Sequence, residues 1–366
     1  MSTPVPKRNQ VSPFLVFFLV NAMQIGVGVL GFPTYVASEL GADGWIAVIL
    51  SGIIITVTIF LIFSILKKGG GDILQIHCRL FGKVIGNALT FLLIVYLLGI
   101  VLVILRTFIE VIQVWIFPDL ETWAPSAVYL LLAYYAVVTG FRAVTGVCFF
   151  GVILSLFTYF SLIGPIEFFK FRNILPLVTH GPQEFLAGIK TMTLSYLGIG
   201  MIFFLYPFIS RPHKAVSWAI GANVLTIFMY LFVAFAALFY FSPAQLEKTI
   251  WPLLTMWQII QLPFVERFEF LAIPVWGLVV LPNICLGLWT TSRGLRLLFK
   301  VRQHQVLILL CLMIFCSSVV LETREQIEQL NTIVSEIGFY FAIVYVPLLW
   351  MMQFIRKGGQ SHDQSV

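Results

Sequence analysis

Charged residues are scarce in this sequence. They make up only 10% of the 366 residues, while 60% are hydrophobic, whereas soluble globular domains average about 25% charged and 45–50% apolar residues. A water-soluble fold is therefore excluded. Cysteine is also rare, with five residues and no spacing typical of a disulfide framework or a metal site.

Catalytic signatures are missing as well. The sequence contains no HExxH, GxSxG or Walker A motif. The histidines are scattered, and we expect all of them to lie on the surface. They are His77, His180, His213, His304 and His362. We therefore expect a protein that is not an enzyme and that binds no cofactor or metal.

Long uncharged runs are abundant instead. A membrane-spanning helix needs about 20 mostly apolar residues, and ten runs have about this length or more. They are residues 9–38, 44–66, 84–105, 122–141, 143–166, 191–210, 215–246, 270–292, 303–321 and 337–355. We therefore predict an all-α integral membrane protein with ten transmembrane helices, forming one polytopic domain over residues 1–366 with a tail at 358–366.

The basic residues show how these helices are oriented. The net charge is +6, and Lys and Arg concentrate at both termini and in every second loop, while the alternate loops collect acidic residues such as Glu39 and Glu322. Loops rich in Lys and Arg remain in the cytoplasm. We therefore predict that the N- and C-termini are cytoplasmic. This asymmetry accounts for the basic charge without a nucleic-acid partner and leaves the lipid bilayer as the surroundings.

Ten helices divide into five plus five, and an odd number per half requires an inverted repeat. The two repeats would comprise about residues 11–168 and 184–357. Predicted helix 1 contains GVG at 26–28 before Pro33, and predicted helix 6 contains GIG at 198–200 before Pro207. Matching Gly and Pro interruptions indicate broken helices that line a binding site near the membrane midplane. The alternative is that these glycines only allow close helix packing.

The candidate ligand site combines these two helices with predicted helices 3 and 8. Each of these carries a stripe of polar side chains along one helix face. Predicted helices 1 and 6 carry no charge within their apolar runs, so their site would bind with backbone groups, helix dipoles and aromatic rings. It suits a small zwitterion or a neutral polar molecule. The candidate ligand-binding residues are Gln24, Gly26, Gly28, Gly31, Tyr96, Gly99, Tyr196, Gly198, Gly200, Phe203, Trp276 and Asn283.

Charged residues at the outer ends of the two stripes predict a gate above this site. Its members are Arg106, Glu110, Glu266 and Glu269, and charges within membrane helices are functional candidates by default. Three alternatives stay open. Arg106 could extend to the interface, Glu269 could only begin a helix, and Asn283 could satisfy backbone groups freed by Pro282 instead of contacting ligand.

Several motifs occur together in one family. They are QIGVGVLGFP at 24–33, GDIL at 71–74, LFGKVIG at 80–86, GFR at 140–142 and VERFEFL at 265–271. With these motifs the whole chain resembles the B subunit of spore germinant receptors, the endospore germination permeases. VERFEFL is the most specific of them, whereas the motif at 24–33 is shared in outline with amino-acid permeases at large.

The resemblance implies a LeuT-like fold of the amino acid/polyamine/organocation type, in the inner membrane of the spore. It also implies that the chain senses a small-molecule germinant, bound between helices 1, 3, 6 and 8. The expected partners are a membrane A subunit with a soluble domain and a lipoprotein C subunit. A second hypothesis, a secondary amino-acid transporter, stays open because fold alone does not separate the two functions.

Overall fold

The chain folds almost entirely into helices, joined by short 3-10 turns. The computed structural model describes residues 5–70, 72–176, 178–260 and 267–360. Its α-helices are α1 (Leu15–Gln24), α2 (Phe32–Leu40), α3 (Gly44–Gly69), α4 (Ile73–Phe81), α5 (Lys83–Trp115), α6 (Trp123–Thr139), α7 (Phe141–Tyr159), α8 (Pro182–Thr193), α9 (Ile202–Leu205), α10 (Pro212–Tyr240), α11 (Pro243–Leu246), α12 (Pro252–Trp257), α13 (Glu269–Phe299), α14 (Gln303–Val320), α15 (Arg324–Tyr340) and α16 (Val346–Gln360).

Many of these helices can cross a membrane. Among the described residues, seven helices are long and apolar enough, and three further apolar helices are shorter; the shorter ones are Leu15–Gln24, Trp123–Thr139 and Ile199–Phe208. Large apolar side chains such as Leu131 and Phe157 are more than 60% exposed on the outer surface. Lipid solvates such side chains, whereas water does not. The protein is thus a multi-pass membrane protein.

The first predicted helix is interrupted in its middle. Helix α1 ends at Gln24, and Ile25 and Gly26 are extended. One 3-10 turn over Val27–Leu30 then leads into α2, which has Pro33 in its first turn. Proline fits there because the first amides of a helix have no helical partner. The interruption lies at the GVG motif, as predicted.

The second interruption lies in the other half of the chain. Helix α8 passes through a 3-10 turn to Gly198, whose φ of +98° is in the left-handed region, and the chain continues through a second 3-10 turn into α9. The Cβ that Gly198 lacks would lie 3.2 Å from Cβ and the carbonyl oxygen of Met23. Met23 is in the last turn of α1, so the two interruptions are in contact.

Polar side chains connect the packed helices. Helix α13 packs against α5 and α7, and α10 packs against α3. Between α10 and α3, the Asn223 Nδ2 donates to the Gly52 carbonyl at 2.9 Å and to the Thr56 hydroxyl at 2.8 Å. In a bilayer such bonds hold helices together because lipid offers no competing partner.

Helix α15 corrects the predicted start of the last span. A capping box on Thr323 begins the helix at Arg324 rather than near residue 337, and a π-helical turn over Phe341–Tyr345 joins it to α16. Glu325 and Glu328, which the sequence places in an external loop, therefore belong to a helix, whereas Glu322 lies before it. Dividing the sequence into uncharged runs does not detect a helix that carries charged residues along one face.

His77 is a second correction, because it is buried rather than on the surface. It lies in α4, which packs against α5, and its Nδ1 is 2.8 Å from the Thr90 hydroxyl while its Nε2 contacts the Tyr345 hydroxyl. Burial lowers the pKa of His77 to about 4. The structural role of His77 is therefore that of a neutral imidazole that joins α4 to two other helical segments.

We predict that Gly198→Ala destabilises the protein by about 1–2 kcal/mol, since a left-handed residue with a Cβ is disfavoured by that amount and this Cβ would press on Met23. Thermal unfolding in nanodiscs measures it. Gly146→Ala in α7 is the control, because a Cβ there meets nothing within 4 Å. Equal melting temperatures for both variants would contradict the strain at Gly198.

Candidate functional site

A cavity of about 460 Å³ lies where the two interrupted helices meet. This volume is within the range of small-molecule sites, about 300–1,000 Å³. Its walls come from α1, the turn at 27–30, α2, α5, α8, α13 and α15. Five of the sequence-predicted ligand residues line it, namely Gln24, Gly26, Gly28, Gly31 and Asn283.

The other predicted ligand residues lie in the packed core around the cavity. Tyr96 packs against Phe341 with ring centroids 5.6 Å apart, and Trp276 packs against Trp257 at 5.9 Å. The remaining ones, which are absent from the cavity wall among the described residues, are Gly99, Tyr196, Gly198, Gly200 and Phe203. All seven residues belong to the predicted helices. Their side chains, or for the glycines their Cα atoms, face a neighbouring helix and not the cavity.

The inner wall is built on hydrogen bonds to the interrupted backbone. The Tyr230 hydroxyl lies 2.8 Å from the carbonyl oxygens of both Gln24 and Ser195, and its one hydrogen donates to either of them. The Asn283 Nδ2 donates to the Ile25 carbonyl at 3.0 Å. The backbone group that Asn283 bonds thus belongs to the first interruption and is not one freed by Pro282, while its place in the cavity wall keeps ligand contact as a prediction.

One wall was missed in the sequence. Helix α15 presents a polar face to the cavity, formed by Glu328, Asn331, Thr332, Ser335 and Glu336. These positions follow the i, i+3, i+4, i+7, i+8 spacing of one helix face. The periodicity could have revealed this wall, but the charged residues placed the segment in a loop.

The entrance to the cavity is rich in acidic groups. Glu39, Glu328 and Glu336 line it together with one basic residue, Lys190, whose Nζ is 2.5 Å from a Glu336 oxygen. The Trp251 ring, from the apolar segment before α12, completes this end. A ligand that enters at this end therefore passes more acidic than basic side chains.

The predicted gate has different ion pairs from those expected. Glu110 pairs with Arg324 of α15, and the Arg324 Nη2 also donates to the Tyr35 hydroxyl at 3.1 Å. Glu269, at the start of α13, accepts from Arg267 at 2.7 Å. The charged end of α5 thus meets α15, and the expected cluster between predicted helices 3 and 8 is wrong.

Arg106 directs its guanidinium to backbone carbonyls and makes no direct ion pair with a carboxylate among the described residues. Its Nε donates to the Leu321 carbonyl at 2.5 Å and its Nη2 to the Glu322 carbonyl at 3.2 Å. Both carbonyls lie between α14 and α15. The spacing of polar residues predicts which face of a helix is polar, but it does not predict which helix packs against that face. The predicted pairing of Arg106 with Glu269 was wrong for this reason. Glu266, the fourth gate residue, lies outside the described residues.

The opposite end of the interrupted helices is closed. The Val11 N–H donates to the Phe208 carbonyl at 2.8 Å, and the Ser210 N–H donates to the Val11 carbonyl at 3.0 Å. The Phe208 ring packs against Trp289 with centroids 4.9 Å apart. Nearby, Arg293 pairs with Asp72 at 3.5 Å, although burial raises the pKa of Asp72. Among the described residues, these contacts close the end of the interrupted helices that lies away from Glu39.

Comparison with protein families identifies this arrangement. The family described as spore germination protein matches residues 10–327. The chain belongs to this spore germination family. The spore germination protein GerQB of Bacillus cereus is 39% identical over 349 residues, covering 95% of this chain and 97% of that protein. Spore germination protein B2 of Bacillus subtilis strain 168 is 23% identical, covering 93% and 94%.

Solved structures show the fold of this germination-family chain. The crystal structure of MhsT in complex with L-phenylalanine superposes with a TM-score of 0.62 at 18% identity, covering 94% of this chain and 88% of MhsT. A substrate-bound, outward-open Na⁺-coupled sialic acid symporter gives a TM-score of 0.67 at 11% identity, covering 92% and 80%. The germination-family chain thus has a LeuT-type transporter fold.

Neither this family nor this fold is that of an enzyme. Within the part of the germination-family chain that the structure describes, no group of three or more His, Cys, Asp or Glu residues could hold a metal ion. The site instead offers amides, hydroxyls, backbone groups and carboxylates around an enclosed volume. Such a set binds a small polar molecule by hydrogen bonds and charge.

We predict that Arg324→Ala destabilises the protein by about 1–3 kcal/mol, because it leaves the Glu110 carboxylate, which is 9% exposed, without its partner, while Arg324 itself is 34% exposed. Denaturant unfolding in detergent measures the loss. Lys190→Ala is the matched control: its ion pair has side chains 39% and 49% exposed, and exposed pairs contribute about 0–1 kcal/mol. Similar losses in the two variants would show that burial does not set the strength of these pairs.

Proposed function

We propose that this chain is the membrane subunit of a spore nutrient-germinant receptor. It binds a small germinant, an amino acid, in the central cavity, and binding changes the equilibrium between conformations of the interrupted helices. The change is passed to a membrane A subunit and a lipoprotein C subunit, which trigger germination. The observation that carries this proposal is the cavity at the contact of two interrupted helices, open at one end and closed at the other.

The lining supports an amino acid as the ligand class. The cavity joins an uncharged inner wall at the helix interruptions to charged groups at the entrance, and a zwitterion of about ten heavy atoms fits such a volume. MhsT, which shares the fold, was solved with L-phenylalanine. The side chains that would select one amino acid include Thr107, Ser195 and Asn331.

We further propose ten spans arranged as a 5+5 inverted repeat, with both termini cytoplasmic in the spore inner membrane. In this arrangement α3 corresponds to α10 and α5 to α13. Both pairs pack against each other, as equivalent helices around a two-fold axis in the membrane do. The acidic entrance of the cavity then faces away from the cytoplasm.

A secondary amino-acid transporter is the second candidate, and the LeuT-type fold favours it. Proteoliposomes that contain this chain alone distinguish the two. Concentrative uptake of labelled amino acid would favour transport, whereas saturable binding without uptake would favour the receptor. Spores lacking the chain should lose their response to the same amino acid if it is the receptor subunit.

We expect Gly28→Leu to weaken amino-acid binding at least tenfold, because Gly28 lines the cavity and a longer side chain would occupy it. Thermal stabilisation by each of the 20 L-amino acids first identifies the ligand, and titration then compares variants. Gly28→Ala should be mild, since its Cβ would lie 3.7 Å from the Ser195 hydroxyl. Gly146→Leu, outside the cavity, is the control. Unchanged affinity in Gly28→Leu would place the ligand elsewhere.

We expect a cysteine at position 360 to resist an impermeant thiol reagent added from outside, because the basic C-terminus remains in the cytoplasm. A cysteine replacing Lys170, in a predicted external loop, should react. Both are made with Cys316→Ser, because Cys316 is exposed. Labelling of position 360 in intact cells would overturn the proposed topology and the inverted repeat with it.

A further inference from the structure

At the two interruptions several backbone carbonyls lose their helical donors, among them those of Gln24, Ile25 and Ser195. In an unbroken helix each carbonyl accepts from the amide four residues later. After α1 the chain is extended, so the carbonyls of Gln24 and Ile25 lose the amides of Gly28 and Val29. At the second interruption the left-handed conformation of Gly198 removes the helical donor of the Ser195 carbonyl.

Such carbonyls are cation ligands in many transporters. Unwound backbone and the C-terminal ends of half-helices coordinate Na⁺ near the midplane, where the partial negative charge of the helix end adds to the attraction. Among the solved structures that share this fold, one is described as a Na⁺-coupled symporter.

Each of these three carbonyls lies within hydrogen-bond distance of a side-chain donor, and the single hydroxyl hydrogen of Tyr230 is shared between two of them. The Tyr230 hydroxyl is 2.8 Å from the carbonyl oxygens of Gln24 and Ser195 and spans the two interruptions. The Asn283 Nδ2 is 3.0 Å from the Ile25 carbonyl and makes a longer contact of 3.5 Å with the Val279 carbonyl. Tyr230 and Asn283 are 0% and 2% exposed, so water does not compete with them.

The orientation of the Asn283 amide is fixed by these contacts. Two carbonyl oxygens face the same end of the side chain, and only the NH₂ group can donate to them. A cation at this point would meet donor hydrogens instead of oxygen lone pairs. The amide nitrogen thus lies between Ile25 at the interruption and Val279 on α13, where an ion would otherwise join the two helices.

We propose that Asn283, with Tyr230, replaces a coupling cation in this fold, so that the interrupted helices are held without Na⁺ or K⁺. Ligand binding in the cavity is then independent of an ion gradient. This consequence rests on the proposed binding function, because a receptor needs no ion coupling whereas a concentrative transporter does. The replacement itself rests only on the bonds to the carbonyls.

Asn283→Asp tests the proposal directly. A carboxylate cannot donate to the Ile25 carbonyl but adds oxygen ligands and a negative charge, the set that a cation prefers. Purified protein in nanodiscs is melted in NaCl, KCl or N-methylglucamine chloride of equal ionic strength, with no amino acid added. The parent protein should melt equally in all three, and Asn283→Asp should melt at least about 3 °C higher in NaCl or KCl.

Asn331→Asp is the matched control. It places the same charge on the wall of the same cavity, but Asn331 contacts the Thr107 hydroxyl and not an interrupted helix. It should show no cation-dependent rise. If Asn283→Asp does not fold, Asn283→Ser takes its place with the same expectation, since its hydroxyl is too short to reach the Ile25 carbonyl and offers a neutral oxygen.

Two results would overturn the proposal: a higher melting temperature of the parent protein in NaCl or KCl, or a folded Asn283 variant that is as indifferent to the cation as its parent. Failure of the proposed function gives a different result. In that case no L-amino acid stabilises the parent protein in any of the three salts, while the cation responses of the variants stay as expected.

Discussion

Backbone groups that leave a helix inside a membrane must find partners within the protein, since lipid supplies none. This constraint shapes the centre of the molecule. The chain leaves helical geometry at Ile25 and again at Gly198, and the two interruptions lie in contact. The Tyr230 hydroxyl lies within hydrogen-bond distance of a carbonyl from each. The cavity exists because two half-helices end there, and it stays intact because their ends are bonded to fixed side chains.

The same requirement explains the buried polar residues around the site. Asn223 bonds α10 to α3, Asn283 bonds α13 to the first interruption, and Arg106 bonds α5 to the chain between α14 and α15. None of these side chains has a carboxylate as its partner. The helices are therefore held to each other through backbone carbonyls, which keeps the inner wall of the cavity free of net charge.

The charged residues that line the cavity lie at its entrance. Glu110 and Arg324 pair beside Tyr35, while Lys190 and Glu336 pair across the cavity mouth. The α15 face, which carries three of the acidic or amide groups of the wall, continues through a π-helical turn toward α16. π-Helical turns occur often at functional sites. Helix α15 therefore connects one wall of the cavity with α16 through this turn.

The sequence alone determined the membrane class, the helical fold, the family and the positions of both interruptions, because composition, uncharged length and Gly–Pro patterns are local properties. Five of twelve predicted ligand residues line the cavity. The rest could not be predicted from the stripes, because periodicity gives a face but not the helix that covers it. Only the tertiary structure decided that Glu110 meets Arg324 rather than Arg106, and that α15 forms a wall. Such pairings depend on how distant segments pack, and residues more than 200 positions apart in the chain carry no local signal of their contact.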